Sequence, residues 1–327
     1  MLEFKDDFGW IPDRIQAEEA KAEGTRSDRD FLLSMAKTFS DSHNVPEVWN
    51  FVDFAQNAQR LKDAEHPDWW NLTTTDGRKA ADLLTPNQGS LPTCAGVSGT
   101  NAVQLAEVLQ NANRFGESDP QKFNPLGTWQ MTKNGSRSGG QTISAMAEGL
   151  RSIGSCLESD LGEYSDRQNF RVLDDTVLGN AAQHQAGVAL WDDDELSRDD
   201  LCEMVFMLAR KGFAGFFGCV NALADGIEKD RNGVPVLRLS GRKWAHAMAC
   251  AGWMERNGTE YIAVINSHGS RYADSSRSFT LPDHCGFMDL ETFRRMASGA
   301  WFDFCAITSA EGKQDFSAKP TLNPWRV

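Results

Sequence analysis

The stretch NQGSLPTCAGVSGTNAVQLAEVLQ, residues 87–110, decides how this chain is read. From Cys94 onward, Val97, Ala102, Leu105, Val108 and Leu109 fall on one face at helical spacing, which predicts a helix opening at Cys94. Gly96 and Gly99 cost helix propensity, and their use here implies a close approach of neighbouring groups. A thiol attacks a carbonyl only as thiolate, and a helix N-terminus is one of the settings that lowers a thiol's pKa. Cys94 is therefore a candidate nucleophile, set against the common case of a buried helical cysteine that only packs.

A nucleophile of this kind needs a base, and the chain offers His43, His66, His184, His246, His268 and His284. Only His246 falls in a predicted buried strand, WAHAMACAGWM (244–254), which is followed by a turn signal at Asn257-Gly258 and a second strand, TEYIAVINS (259–267). That second strand ends in Asn266. An amide there would hydrogen-bond the imidazole and fix its orientation, the third role of a catalytic triad.

At these residues the chain resembles the papain-like (C1 family) cysteine peptidases. NQGSLPTCAGVSGTNAV (87–103) resembles the family's Asn-Gln-Gly-Ser-Cys-Gly-Ser-Cys-Trp-Ala-Phe-Ser block, HAMACAGW (246–253) its His-Ala block and INSHGSRY (265–272) its Asn-Ser-Trp-Gly block. SGGQTISAMAEGL (138–150) is similar to its Gly-Gly turn. The resemblance implies Cys94 as nucleophile, His246 as base, Asn266 as the group orienting that base and Gln88 as oxyanion donor, with Gly139 and Gly140 lining the substrate cleft. It also implies an α+β, two-lobed fold, with a helical lobe carrying the nucleophile helix and a β-barrel-like lobe carrying His246 and Asn266. The expected activity is hydrolysis of peptide bonds through a thioester, without cofactor or metal. No single block is specific, but their joint order is, and the separation from Cys94 to His246, 246 − 94 = 152 residues, suits a two-lobed fold of this family.

The departures from the pattern carry information too. Leu91 stands where the family has a cysteine three residues before the nucleophile, and Arg137-Ser138 replaces the cysteine before the Gly-Gly turn. Both halves of one disulfide are thus missing together, as a reducing compartment allows. Ala95 and His268 stand where the family has tryptophans. The second of those shields the His–Asn hydrogen bond in the family, so weaker orientation of His246 or lower activity is expected. A transglutaminase-like acyl transfer would usually place Asp where Asn266 stands and ranks last.

Composition bounds the rest. With 327 residues, 40% of them hydrophobic and ten of them tryptophans, the chain can bury a large core. A net charge of −13 gives no basic footprint for nucleic acid or anionic membrane. The acidic start MLEFKDDFGW lacks the pattern of an export signal, and seven unclustered cysteines suggest neither a disulfide framework nor a zinc site, so a cytoplasmic or other reducing location is expected. The run Asp192-Asp193-Asp194-Glu195 lacks EF-hand spacing and reads as a solvated approach to a helix capped by Ser197.

We expect an N-terminal extension over residues 1–70, with a helix opening at Pro46 and presenting Val48, Phe51, Val52, Ala55 and Leu61, and a catalytic domain over 71–327. The extension is read as a docking arm or integral packing element, with an inhibitory pro-segment as its alternative. The expected partner is a peptide or protein substrate. The alternative to an active peptidase is a papain-like fold kept as a weak or silent component of a larger assembly, such as a viral or phage particle, docked through the extension.

Overall fold

A computed structural model describes residues 48–73, 77–110, 120–132, 140–166, 175–220, 224–239, 245–269 and 279–310. In chain order they form β1 (Val48–Asn50), α1 (Phe51–Gln59), short 3-10 turns at Trp69–Asn71 and Ala80–Leu83, α2 (Cys94–Gln110), α3 (Pro125–Thr132), α4 (Ile143–Ser152), α5 (Glu158–Leu161) and α6 (Asp175–Ala181). There follow β2 (Gly187–Leu190), α7 (Arg198–Arg210), β3 (Ala214–Cys219), β4 (Ala224–Lys229), β5 (Pro235–Leu239), β6 (His246–Arg256), β7 (Thr259–Ile265), β8 (Cys285–Asp289), α8 (Leu290–Ala297) and β9 (Phe302–Ser309). Helices precede most of the strands, which is the α+β order the sequence predicts. Among the described residues no helix is long and apolar enough to cross a membrane.

The described strands join in one sheet ordered β1-β2-β9-β3-β6-β7-β8-β5-β4. Its pairs are antiparallel except β1 with β2 and β5 with β8. Side chains alternate across its two faces as the period of two requires. Ala247, Ala249, Ala251, Ala263 and Ile265 join the core that contains α2, whereas Met248, Cys250, Ile262 and Val264 join the core built on α1, α7 and α8. The row of alanines leaves room for α2 to lie close against β6.

The reading of α2 as a helix with one apolar face needs correction, because every residue from Cys94 to Leu109 is buried. Sheet on one side and α3 and α4 on others enclose it. A Cβ on Gly96 would stand 2.7 Å from Trp129 Cβ, and one on Gly99 would stand 2.8 Å from Met146 Cγ, so both glycines serve close approach. Two of its buried polar side chains tie it to neighbouring backbone: Asn101 exchanges two hydrogen bonds with the Thr85 backbone, and Gln104 accepts from Phe123 N and donates to Glu107.

Local signals set the remaining boundaries. Ser197 accepts from Asp200 N and caps α7, and Gly212 at φ +84° follows its end. Asn257 and Gly258, both at positive φ, turn the chain between β6 and β7. The helix predicted from Pro46 begins instead at Phe51. Asn50 caps it by accepting from Val52 N and Asp53 N, while Val48 pairs in parallel with Val188 of β2. Its buried face is Phe51, Phe54, Ala55 and Ala58; Val52 is half-buried, and Leu61 lies beyond the helix, exposed.

Candidate active site

The candidate residues gather at one end of the central strands. Cys219, the last residue of β3, pairs with His246, the first of β6, and β6 returns through the Asn257-Gly258 turn to β7, which delivers Asn266. His246 Nε2 and Asn266 Oδ1 are 2.8 Å apart. The same Asn266 oxygen accepts from Ser267 N at 2.7 Å, which fixes it as the oxygen rather than the amide nitrogen. Nε2 of His246 therefore carries the hydrogen, and Nδ1 is left as the basic nitrogen. Both side chains are buried, His246 at 2% exposure and Asn266 at 1%. Asn266 N donates to the His284 carbonyl, tying the residue to the approach to β8.

Cys94 enters from the opposite side at the N-terminus of α2, against β6. Its sulfur is hydrogen bonded by the backbone N–H of Ala247, the residue after His246. Burial pushes the thiol up to about 12, and the N–H groups of Ala247, Ala95 and Cys94 itself pull the other way without offsetting it. The helix N-terminus expected from the sequence is present; the lowered thiol pKa expected from it is not.

Gln88 lies six residues before Cys94 on a loop sewn to the Asn266 segment. Gln88 N donates to Ser267 O, Gln88 Oε1 accepts from Ser267 Oγ, and Gly269 N donates to Pro86 O. The Gln88 side-chain amide donates once, to Leu91 O at 3.1 Å, and its second N–H has no part in that bond. Gly140 is buried two residues before Thr142, the residue that caps α4. Gly139 and the Arg137-Ser138 pair lie outside the described residues.

No family model and no curated protein matches the chain. Among solved structures, xylellain, a cysteine protease from Xylella fastidiosa, is similar at a TM-score of 0.52 and 14% identity, over 94% of this chain and 99% of that one. The chain has the papain-like fold. Procathepsin L 3 of Tenebrio molitor larval midgut (TM-score 0.47, 13% identity, 86% of this chain and 88% of that one) and proCathepsin B S9 from Trypanosoma congolense (0.46, 11%, 81% and 82%) are similar to it as well.

On the papain-like fold, the structure thus brings His246, Asn266 and, through Ser267, Gln88 into one hydrogen-bonded set, with Cys94 joined to it through Ala247. His268 lies with its ring stacked on that of His246. A cavity of about 760 Å³, walled in part by Trp49, Trp191 and Trp301, contains none of these residues. The carboxylates of Asp192, Asp193 and Asp194 cluster beside that cavity but are exposed, in keeping with a solvated approach to α7.

Sequence reasoning missed the residues that brace the loop before Cys94. Tyr164 OH donates to Gln88 O and is hydrogen bonded to Thr93 Oγ1, and Asp166 Oδ2 accepts from both Ser90 N and Ser90 Oγ. Nothing in the local pattern of LGEYSDRQ distinguishes these side chains from ordinary loop polarity.

Proposed function

We propose that the chain is a cysteine peptidase working through Cys94, His246 and Asn266. The observation that carries this reading is the 2.8 Å contact from His246 Nε2 to the Asn266 side-chain oxygen, because it assigns the hydrogen to Nε2 and makes Nδ1 the basic nitrogen of a residue on β6, the strand against which the helix that opens at Cys94 packs. In the reaction, the Cys94 proton passes to His246, and the sulfur attacks the peptide carbonyl carbon. The Cys94 backbone N–H and the remaining N–H of the Gln88 amide receive the negative oxygen. His246 then gives its proton to the departing amine, leaving a thioester that water hydrolyses to free the acid and restore the thiol. The imidazolium formed in the first step offsets the desolvation that holds the resting thiol at about 12. Gly140 lines the cleft in this reading. All seven cysteines are free and buried, which supports a reducing compartment.

Release of a labelled peptide by the wild type and by Cys94→Ala tests the proposal; equal rates remove Cys94 from the mechanism. The full burial of Cys94 supports a second reading, a papain-like fold without turnover. A thiol probe near neutral pH separates the two. Labelling of Cys94 well ahead of the other six cysteines supports the peptidase, and labelling at their common rate supports the silent fold.

A further inference from the structure

We propose that Tyr164 is a positioning residue for this site, holding the oxyanion donor and the approach to the nucleophile in one fixed relation; the inference rests on the peptidase reading. Its hydroxyl reaches two points of the loop between Gln88 and Cys94. It donates to Gln88 O at 2.8 Å and is 2.9 Å from Thr93 Oγ1, the residue directly before Cys94. Since its single hydrogen goes to Gln88 O, Thr93 is the donor in the second bond. One phenol oxygen therefore spans the loop from the residue that carries the candidate oxyanion amide to the residue that precedes the candidate nucleophile.

Two neighbours complete the brace. Asp166 accepts from Ser90 N at 2.8 Å and from Ser90 Oγ at 2.9 Å. Gly89 sits at φ +67°, and a Cβ there would stand 2.3 Å from Asp166 Cγ, so the carboxylate presses directly against the loop backbone. Asn87 and Gly89 wall a cavity of about 290 Å³, whose other side includes Lys122, Glu158 and Tyr164, so this flank borders open space. Hydrogen bonds with Tyr164 and Asp166 on that flank, together with those to Ser267 and Gly269, fix the loop.

Positioning of this kind acts on the transition state. The Gln88 amide has to meet an oxygen that becomes negative only as the carbonyl is attacked, so a loop free to shift loses rate and leaves substrate binding unchanged. Burial also pushes the Tyr164 hydroxyl up to about 12, which keeps the hydrogen needed for Gln88 O in place across the working pH range.

The test compares the full-length wild type with Tyr164→Phe, which keeps the ring and deletes the bridging oxygen. We expect kcat to fall about tenfold with KM within about twofold, and binding of a peptide aldehyde, which forms an oxyanion on the cysteine, to weaken by a similar factor. Amide hydrogen exchange at Gln88 and Ser90 should quicken in the same variant. Unchanged kcat in an active protein overturns the inference while leaving the peptidase reading intact. A wild type that cleaves no peptide and binds no aldehyde refutes the peptidase reading. The exchange measurement then decides the brace alone, and unchanged exchange at both amides overturns it.

Discussion

The imidazole rings of His246 and His268 lie stacked, with centroids 4.5 Å apart and planes within 16°. The register explains the meeting: Ala249 of β6 is opposite Ile265 of β7, and continuing three residues brings His246 opposite His268. His268 is held in turn by an isolated bridge with Asn87. It thus covers the ring of His246 where the resemblance places a tryptophan. We expect His268→Ala to lower kcat about tenfold, in line with an aromatic contact worth roughly 0.5–1.5 kcal/mol. His268→Trp should stay near the wild type. Steady-state kinetics of the two variants check this, and equal losses in both would show that ring cover plays no part.

Asn266 gives a second prediction. Its oxygen serves both His246 and Ser267 N, so Asn266→Ala removes the group that holds the His246 ring and also strands the buried Ser267 N–H. The stability cost should be roughly 1–3 kcal/mol. The protein should remain folded by circular dichroism while kcat falls at least about tenfold. A folded variant with wild-type kcat would remove Asn266 from the mechanism.

What was legible in the sequence was set by how far apart the interacting residues lie. The cap at Ser197, the turn at Asn257-Gly258 and the helix opening at Cys94 are local patterns, and the structure has each of them. The meeting of His246 with Asn266 was legible because one hairpin brings them together across 20 residues. Val48–Asn50 was misread as helix because its strand character comes from pairing with β2, some 140 residues away, which overrides local propensity. Tyr164 and Asp166 reach their partners across 76 residues from a stretch without periodicity, so no window of sequence displays them. The burial of Cys94 was invisible for a related reason, since it depends on sheet and helices closing around α2 from three directions.

His284 predicts an acid limit to stability. Burial lowers its imidazole from the ordinary 6.5 to about 4, so it is neutral in the folded protein at pH 5 and charged in the unfolded chain. Between those values the unfolded state binds the extra proton, and stability therefore falls as pH drops from about 6.5 to about 4, then no further from this group. The full effect is on the order of 3 kcal/mol. Because the His284 carbonyl accepts from Asn266 N, loss of structure here also loosens the group that orients His246. Urea unfolding at pH 7 and pH 4.5 should show a smaller difference for His284→Gln than for the wild type; an identical difference would rule His284 out as the source.

Removal of the N-terminal region supplies the last prediction. Residues 48–70 do not lie loosely over the domain. β1 pairs with β2, Phe51 meets Phe304 edge-on at 5.5 Å, and Phe54 meets Phe213 at 5.1 Å. Further along, Ala64 N donates to Arg210 O, Pro67 O accepts from Trp253 N, and buried Trp69 donates to Ala251 O from beneath the sheet. Losing the burial of Phe51 and Phe54 alone forfeits about 5 kcal/mol, against a total stability of about 5–15 kcal/mol for a typical domain. A chain beginning at Asp68 also uncovers the apolar side of α7 and should aggregate, whereas a chain beginning at Pro46 keeps every one of these contacts and should stay soluble. If residues up to 67 were instead a removable inhibitory segment, the shorter chain would be soluble and cleave peptide faster than the longer one. Measuring solubility and peptide release for both chains decides between a packed element and a pro-segment, and the contacts of Phe51, Phe54 and Pro67 favour the packed element.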